Sequence, residues 1–220
     1  MTGASGQPSG VRTARRRWLS LTLTIALAFG AGVLLRNTGP LGTDISDRVD
    51  TSEVVGDRQS PSYGPKNAAV TLVYFFDYQC GPCRSSHDDL HAALANHGDA
   101  RIVYRDLPVF GPRSERASAV ALAAANQGLY REMHDALMRE RRELTEIVVR
   151  ELTARVGADW ARIERDIDED PRIAKMVARN RADAVRFGIS GTPGYLVGDY
   201  RILGAQSRTR YQRALRQGED

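Results

Sequence analysis

The sequence predicts an α/β domain whose small sheet is interrupted by a block of helices, carried behind an apolar N-terminal segment. Three observations predict it. Residues 69 to 110 read as strand, helix, strand; residues 114 to 187 carry almost unbroken helical periodicity; and the chain closes with two short strands and a helix. With 220 residues, 42% of them hydrophobic and 26% charged, the chain can bury one sizeable core.

The first 36 residues hold Arg12, Arg15, Arg16, Arg17 and Arg36 and no acid, which leaves 26 basic and 27 acidic residues in the rest. The body is therefore near neutral, and the formal +4 argues for targeting and against a nucleic-acid surface. Residues 1–18 form a basic n-region. The uncharged run "LSLTLTIALAFGAGVLL", residues 19–35, follows; as a helix it reaches about 26 Å, just short of a bilayer's roughly 30 Å hydrocarbon core. It is expected to be a single-pass signal anchor with its N-terminus inside, or else a cleaved signal peptide. Either way the body is extracytoplasmic, where thiols are not kept reduced. No cysteine follows the run, so a lipoprotein anchor is excluded. Residues 36–65, rich in Gly, Pro, Ser, Thr and Asp, read as a linker with a possible short strand at 53–55.

The folded domain is expected over 66–220. "AVTLVYFFD", 69–77, is a continuous β-branched and aromatic run, the pattern of a strand buried on both faces. A helix follows, with Leu90 and Leu94 at helical spacing and Gly98 as its stop. "ARIVYRDLPVF", 100–110, is the parallel partner strand, closed at Pro108. The helical insertion spans about 113–188, punctuated by Gly128, Gly157, Pro171 and Gly188. "GYLVG" and "YRILG" form a hairpin around "DY", and "SRTRYQRALRQ" is the closing helix. In the insertion Tyr130 and Trp160 read as core, and His134 as structural or solvated.

Both cysteines lie in "FFDYQCGPCRSSH", 75–87. Cys80 falls where a buried strand meets a helix, and free N–H groups and the dipole at a helix start favour a thiolate. Pro82 fits the first turn, whose N–H would be unused. The three-residue step lets the two sulfurs meet, with the first the more exposed. Cys80 is thus the expected nucleophile and Cys83 the resolving thiol.

Here the chain resembles a known family. "FFDYQCGPCR", "YRDLPVFGPRSERASAVALAA", "GLYREMHDALM" and "FGISGTPGYLVG" look like exported DsbA-like thiol-disulfide oxidoreductases of thioredoxin-like fold, a likeness running from about Ser60 to the C-terminus. It implies that Pro193 is a cis-proline facing the cysteines, with Thr192 before it, so that the backbone beside Thr192 can pair with a substrate strand. It implies exported protein substrates carrying thiols or disulfides, a membrane redox partner, and no organic cofactor or metal. The activity is expected in the oxidising direction, with reduction or isomerisation as the alternative, because Gly81-Pro82 is the dipeptide of thioredoxins. Relatives often bury an acid six residues before the first cysteine; here that residue is Tyr74. Asp77 is nearer but reads as a solvated turn residue, and the shuttle is not assigned to it.

Rival chemistries remain. Cys80, Cys83, His87 and His91 spell C-x2-C-x3-H-x3-H, four ligands that suit zinc or copper, although His87 and His91 can equally be polar-face residues. A purely structural disulfide would close too short a loop to gain much entropy. Covalent haem fails because Arg84 follows the pair.

Overall fold

The computed structural model describes Leu41 to Glu219 together with Thr24. The expected anchor, 19–35, lies outside the described residues apart from Thr24; among those described, no helix is long and apolar enough to cross a membrane.

Strand β1 (Thr43–Asp44), helix α1 (Ser52–Val55) and strand β2 (Ser62–Tyr63) come first, followed by β3 (Val70–Phe76), α2 (Gly81–His97) and β4 (Ala100–Asp106). Five helices follow: α3 (Pro112–Ala125), α4 (Tyr130–Arg139), α5 (Glu146–Arg155), α6 (Trp160–Glu169) and α7 (Pro171–Arg186). The hairpin β5 (Gly194–Val197) and β6 (Tyr200–Leu203) and helix α8 (Arg208–Gln217) close the chain. The sheet order is β1-β6-β5-β3-β4-β2, with β3 and β4 parallel and the other pairs antiparallel.

Alternation along the central strands divides the core. Leu72, Tyr74 and Phe76 of β3, with Ile102 and Tyr104 of β4, face α2, α8 and the inserted helices. Val73 and Phe75, with Val103 and Leu196, face the other side, where Phe187 and Ile189 close over them. Both faces are dry, which is why β3 reads as an unbroken apolar run.

The linker expected at 36–65 is corrected from Leu41 onward. Leu41, Ile45 and Val54 are buried, and this stretch supplies both edge strands of the sheet. Residues 53–55 are helical, not extended: the Asp50 carboxylate accepts the Ser52 N–H at 2.8 Å, and Val54 N–H bonds back to Thr51 O at 3.1 Å. Local side-chain-to-backbone bonding thus outcompetes strand pairing.

The segment is tied down by charge as well. Arg105, 2% exposed near the C-terminal end of β4, pairs with Asp57 at 2.9 Å and Asp183 at 3.4 Å and donates to Asn180 Oδ1 at 3.1 Å. A buried guanidinium is tolerated only because its donors meet carboxylates and an amide. In the insertion, Tyr130 is buried as expected, whereas Trp160 is only partly buried, with Arg116 and Arg150 over its ring at 5.3 and 5.8 Å.

Candidate active site

Strand β3 ends at Phe76, and the chain turns once before α2 begins at Gly81. Cys80 caps that helix: its backbone is extended, and its sulfur accepts the Cys83 N–H at 3.2 Å. Pro82 occupies the first turn, where no donor is missed. Across the sheet, β5 starts at Gly194 opposite Phe75, so residues 192 and 193 are delivered to the same end. The Thr192–Pro193 bond is cis, and Gly204 N–H to Pro193 O at 2.8 Å holds the loop to the hairpin. Gly194 is required by space, since a Cβ there would lie 2.5 Å from Ile189 Cγ2. The Cys80 thiol donates to Thr192 O at 3.2 Å, joining residues 112 apart in sequence. A Cβ on Gly81 would meet nothing within 4 Å, whereas Cys80 and Cys83 themselves are buried, at 1% and 0% exposed.

The two thiols are free and electrostatically unlike. The Cys83 thiol, directed at the Cys80 sulfur, is the main reason Cys80 falls from the ordinary 9.0 to about 7; the Thr192 side chain and the Cys83 backbone N–H act the same way, against burial and the Asp77 charge. Cys83 is pushed far above the usual thiol value, first by burial and then by giving its proton to Cys80. One sulfur therefore ionises near neutral pH, and the other holds its proton.

Tyr74 is fully buried and stacks on Tyr195, with ring centroids 5.0 Å apart and planes at 5°. Burial above all, with Tyr195 and Cys83 adding, raises its phenol well above 10.0. It stays protonated at neutral pH, so at this position the chain has a donor in place of a proton-accepting carboxylate. Tyr195 in turn shares a 2.6 Å hydrogen bond with Tyr211 of α8.

Asp77 corrects the sequence reading, for it is wholly buried and not a solvated turn residue. Its Oδ1 accepts Gln79 N–H at 2.6 Å and the Ser114 hydroxyl at 2.8 Å; its Oδ2 accepts Val109 N–H at 2.7 Å and Phe110 N–H at 3.2 Å. The carboxylate builds the turn into Cys80 and fastens the loop after β4 beside it. Those partners lie 32 to 37 residues away for Val109 and Ser114, which no local pattern reports. Val109 and Phe110, held there, are 51% and 55% exposed, and Leu203, opposite Gly194, is 44% exposed.

The four-ligand alternative of Cys80, Cys83, His87 and His91 is not gathered. Among the described residues His87 and His91 turn instead toward His134 and Asp135, away from the thiols, and His87 and His134 are buried, not polar-face or solvated.

Residues 71–216 match the family model described as the DSBA-like thioredoxin domain. Among solved structures, a thioredoxin-like oxidoreductase from Silicibacter pomeroyi DSS-3 superposes with a TM-score of 0.74 at 31% identity, covering 77% of this chain and 97% of that one. The thiol-disulfide exchange protein alpha-DsbA2 from Wolbachia pipientis gives 0.71 at 26% identity, covering 79% of this chain and 93% of that one. Among curated proteins, the Na(+)/H(+) antiporter NhaA 3 of Salinispora tropica is 32% identical over 143 residues, 64% of this chain. The chain spans only 22% of that antiporter's length.

Proposed function

Because the chain belongs to the DsbA-like thioredoxin family of thiol-disulfide oxidoreductases, we propose that it exchanges disulfides with exported proteins through Cys80 and Cys83. The observation that carries this is the Cys80 sulfur itself, held at a helix N-terminus within 3.2 Å of both Cys83 N and Thr192 O and ionising at about 7. The N-terminal basic and apolar segments support an extracytoplasmic site of action, anchored through 19–35 with a separate membrane redox partner.

In the reducing direction the Cys80 thiolate attacks one sulfur of a substrate disulfide, and the departing substrate thiolate takes up a proton. Cys83 then loses its proton and attacks the Cys80 sulfur of the mixed disulfide. The second substrate thiol leaves, and a Cys80–Cys83 disulfide remains for the redox partner to reduce. The substrate backbone pairs beside Thr192 and Pro193, while its side chains rest on Val109, Phe110 and Leu203. Each step draws only on sulfur, with no organic cofactor.

The family resemblance alone leans toward the oxidising direction, but one observation favours reduction or isomerisation. A nucleophile ionising at about 7 matches the thioredoxin example at ~7 and not the strongly oxidising DsbA example at ~3.5. The test of the exchange reaction is trapping. A Cys83→Ala chain exported in cells accumulates mixed disulfides on Cys80 that a reductant releases, and Cys80→Ala accumulates none. Failure of Cys83→Ala to trap any exported protein would remove Cys80 as the nucleophile.

A further inference from the structure

The active-site helix α2, past its first turn, meets the middle of α4. His87 and His91, four residues apart, lie on one face of α2, and His134 and Asp135 reach them from α4. One ligand-type atom from each of the four falls within 4.8 Å of every other. His87 Nε2 is 3.2 Å from Asp135 Oδ1, and the His87 and His91 rings are 4.4 Å apart.

The cluster is buried and short of hydrogen bonds. His87 is 1% exposed and His134 is 0% exposed. Both nitrogens of His87, Nε2 of His91, Nε2 of His134 and Oδ1 of Asp135 are buried without a hydrogen-bond partner; the His87–Asp135 approach is close but not aligned as one. Leaving several such groups orphaned is costly, so a function for them is to be expected. His134 spends its other nitrogen on the Tyr78 hydroxyl at 3.1 Å, an outer contact that fixes the ring with Nε2 toward the cluster.

We propose that His87, His91, His134 and Asp135 form a binding site for a divalent metal of the zinc class. Three imidazole nitrogens and one carboxylate oxygen are a donor set that zinc accepts in a closed four-coordinate site. With metal–ligand bonds of about 2.0–2.1 Å, tetrahedral ligand atoms sit roughly 3.3 Å apart. The His87–Asp135 pair, at 3.2 Å, already has that spacing. Arg139 of α4 divides its guanidinium between Asp88 at 3.0 Å and Asp135 Oδ2 at 3.4 Å, which leaves Asp135 Oδ1 as the oxygen facing the imidazoles. Entry is open from the rim, where Asp135 is 23% exposed and a groove of about 520 Å³ between Tyr63, Pro65 and Arg131 reaches His91. Such a site would clamp the inserted helices to the helix carrying the dithiol, separately from the exchange chemistry.

The full chain is oxidised first, so that the Cys80–Cys83 disulfide removes both sulfurs as ligands, and is then titrated with Zn²⁺ and Co²⁺. One equivalent should bind and raise the melting temperature, and cobalt should show the absorption of a four-coordinate nitrogen and oxygen site without thiolate charge-transfer bands. His91→Ala and Asp135→Asn, both at the rim, should each weaken binding at least ~10-fold, with far-UV circular dichroism unchanged. Should His91→Ala fail to fold, the bulk-preserving His91→Gln takes its place. Absence of one-equivalent binding by the oxidised wild-type chain would overturn the assignment, as would binding undiminished in any folded variant.

Discussion

Removing the Cys83 thiol should switch off most of the activation of Cys80, and the structure supplies the size of the effect. The Cys83 thiol is the largest cause of the drop from 9.0 to about 7. At pH 7 a thiol with that pKa is about half thiolate, against about 1% for one titrating at 9.0, roughly a 50-fold gain in reactive species. Intrinsic nucleophilicity falls with pKa, by about 6- to 10-fold for this drop, so the net acceleration is about 5- to 8-fold. The assay is the pH dependence of iodoacetamide alkylation at Cys80 in the reduced chain, read by mass spectrometry. Wild type should titrate near 7, Cys83→Ala should move toward 9, and Cys83→Ser, which keeps an O–H donor, should stay close to wild type. A wild-type midpoint at the ordinary thiol value, or a Cys83→Ala chain with an unmoved midpoint, refutes the reasoning. The linkage has a definite sign. Between pH 7 and 9 the unfolded chain retains the Cys80 proton and the native one does not, so the reduced native state gains stability as pH rises through this window. The full gain is about 3 kcal/mol, and the oxidised chain shows none of it.

Three further outcomes follow from buried charge. Asp57→Ala, which strips Arg105 of its closest carboxylate, should cost about 3–5 kcal/mol in urea denaturation, whereas a true linker would make the change silent. Asp77→Ala leaves three backbone N–H groups, those of Gln79, Val109 and Phe110, and the Ser114 hydroxyl without their acceptor, and should cost about 2–4 kcal/mol in the same assay while slowing exchange at Cys80. Asp106, raised by burial from 3.8 to about 7, binds a proton in the native state that the unfolded state has lost. Its contribution to stability should therefore fall as pH rises from 4 to 7, by up to about 4 kcal/mol, opposite in sign to that of His91 and His134, which burial holds below the usual imidazole value. The stability of wild type relative to Asp106→Asn should fall over this range in pH-dependent denaturation, and a flat difference would refute the shift.

What the sequence discloses and what it hides divide along physical lines. The βαβ unit and the hairpin are legible because β3 is buried on both faces and its apolar run stands out from the polar turns around it. The edge strands β1 and β2, two residues each, are too short to carry a period. Their Gly, Pro and Asp residues serve turns that happen to be ordered by distant partners. Charge misleads in the same way. Asp77 and Arg105 look solvated because burial of a charge is decided by partners far along the chain, such as Asp57 for Arg105. The histidines of α2 were legible as an i, i+4 pair, but their association with α4 depends on how the insertion folds back, which spacing does not report. Cys80 and Cys83 stand out because a helix start is a local feature, whereas Thr192 and Pro193 are marked by the family resemblance, since an X-Pro step alone reads as an ordinary loop.

The direction of electron flow can be argued from the same sulfur. A lower pKa stabilises the reduced chain by its thiolate and makes the pair more oxidising. At pH 7 a pKa of about 7 supplies only ~0.4 kcal/mol of such stabilisation, equivalent to ~10 mV for two electrons. A pKa of ~3.5, the DsbA example, supplies about 4.8 kcal/mol or roughly 100 mV, most of the ~150 mV separating DsbA near −120 mV from thioredoxin near −270 mV. The Cys80–Cys83 pair lacks that contribution, the charge of Asp77 being one of the causes that hold Cys80 up at about 7. Equilibration against glutathione should therefore place the pair near thioredoxin, below about −200 mV. A measured value above about −150 mV would show that the reduced state is stabilised by something other than the donors around Cys80, and would return the chain to the oxidising side of its family.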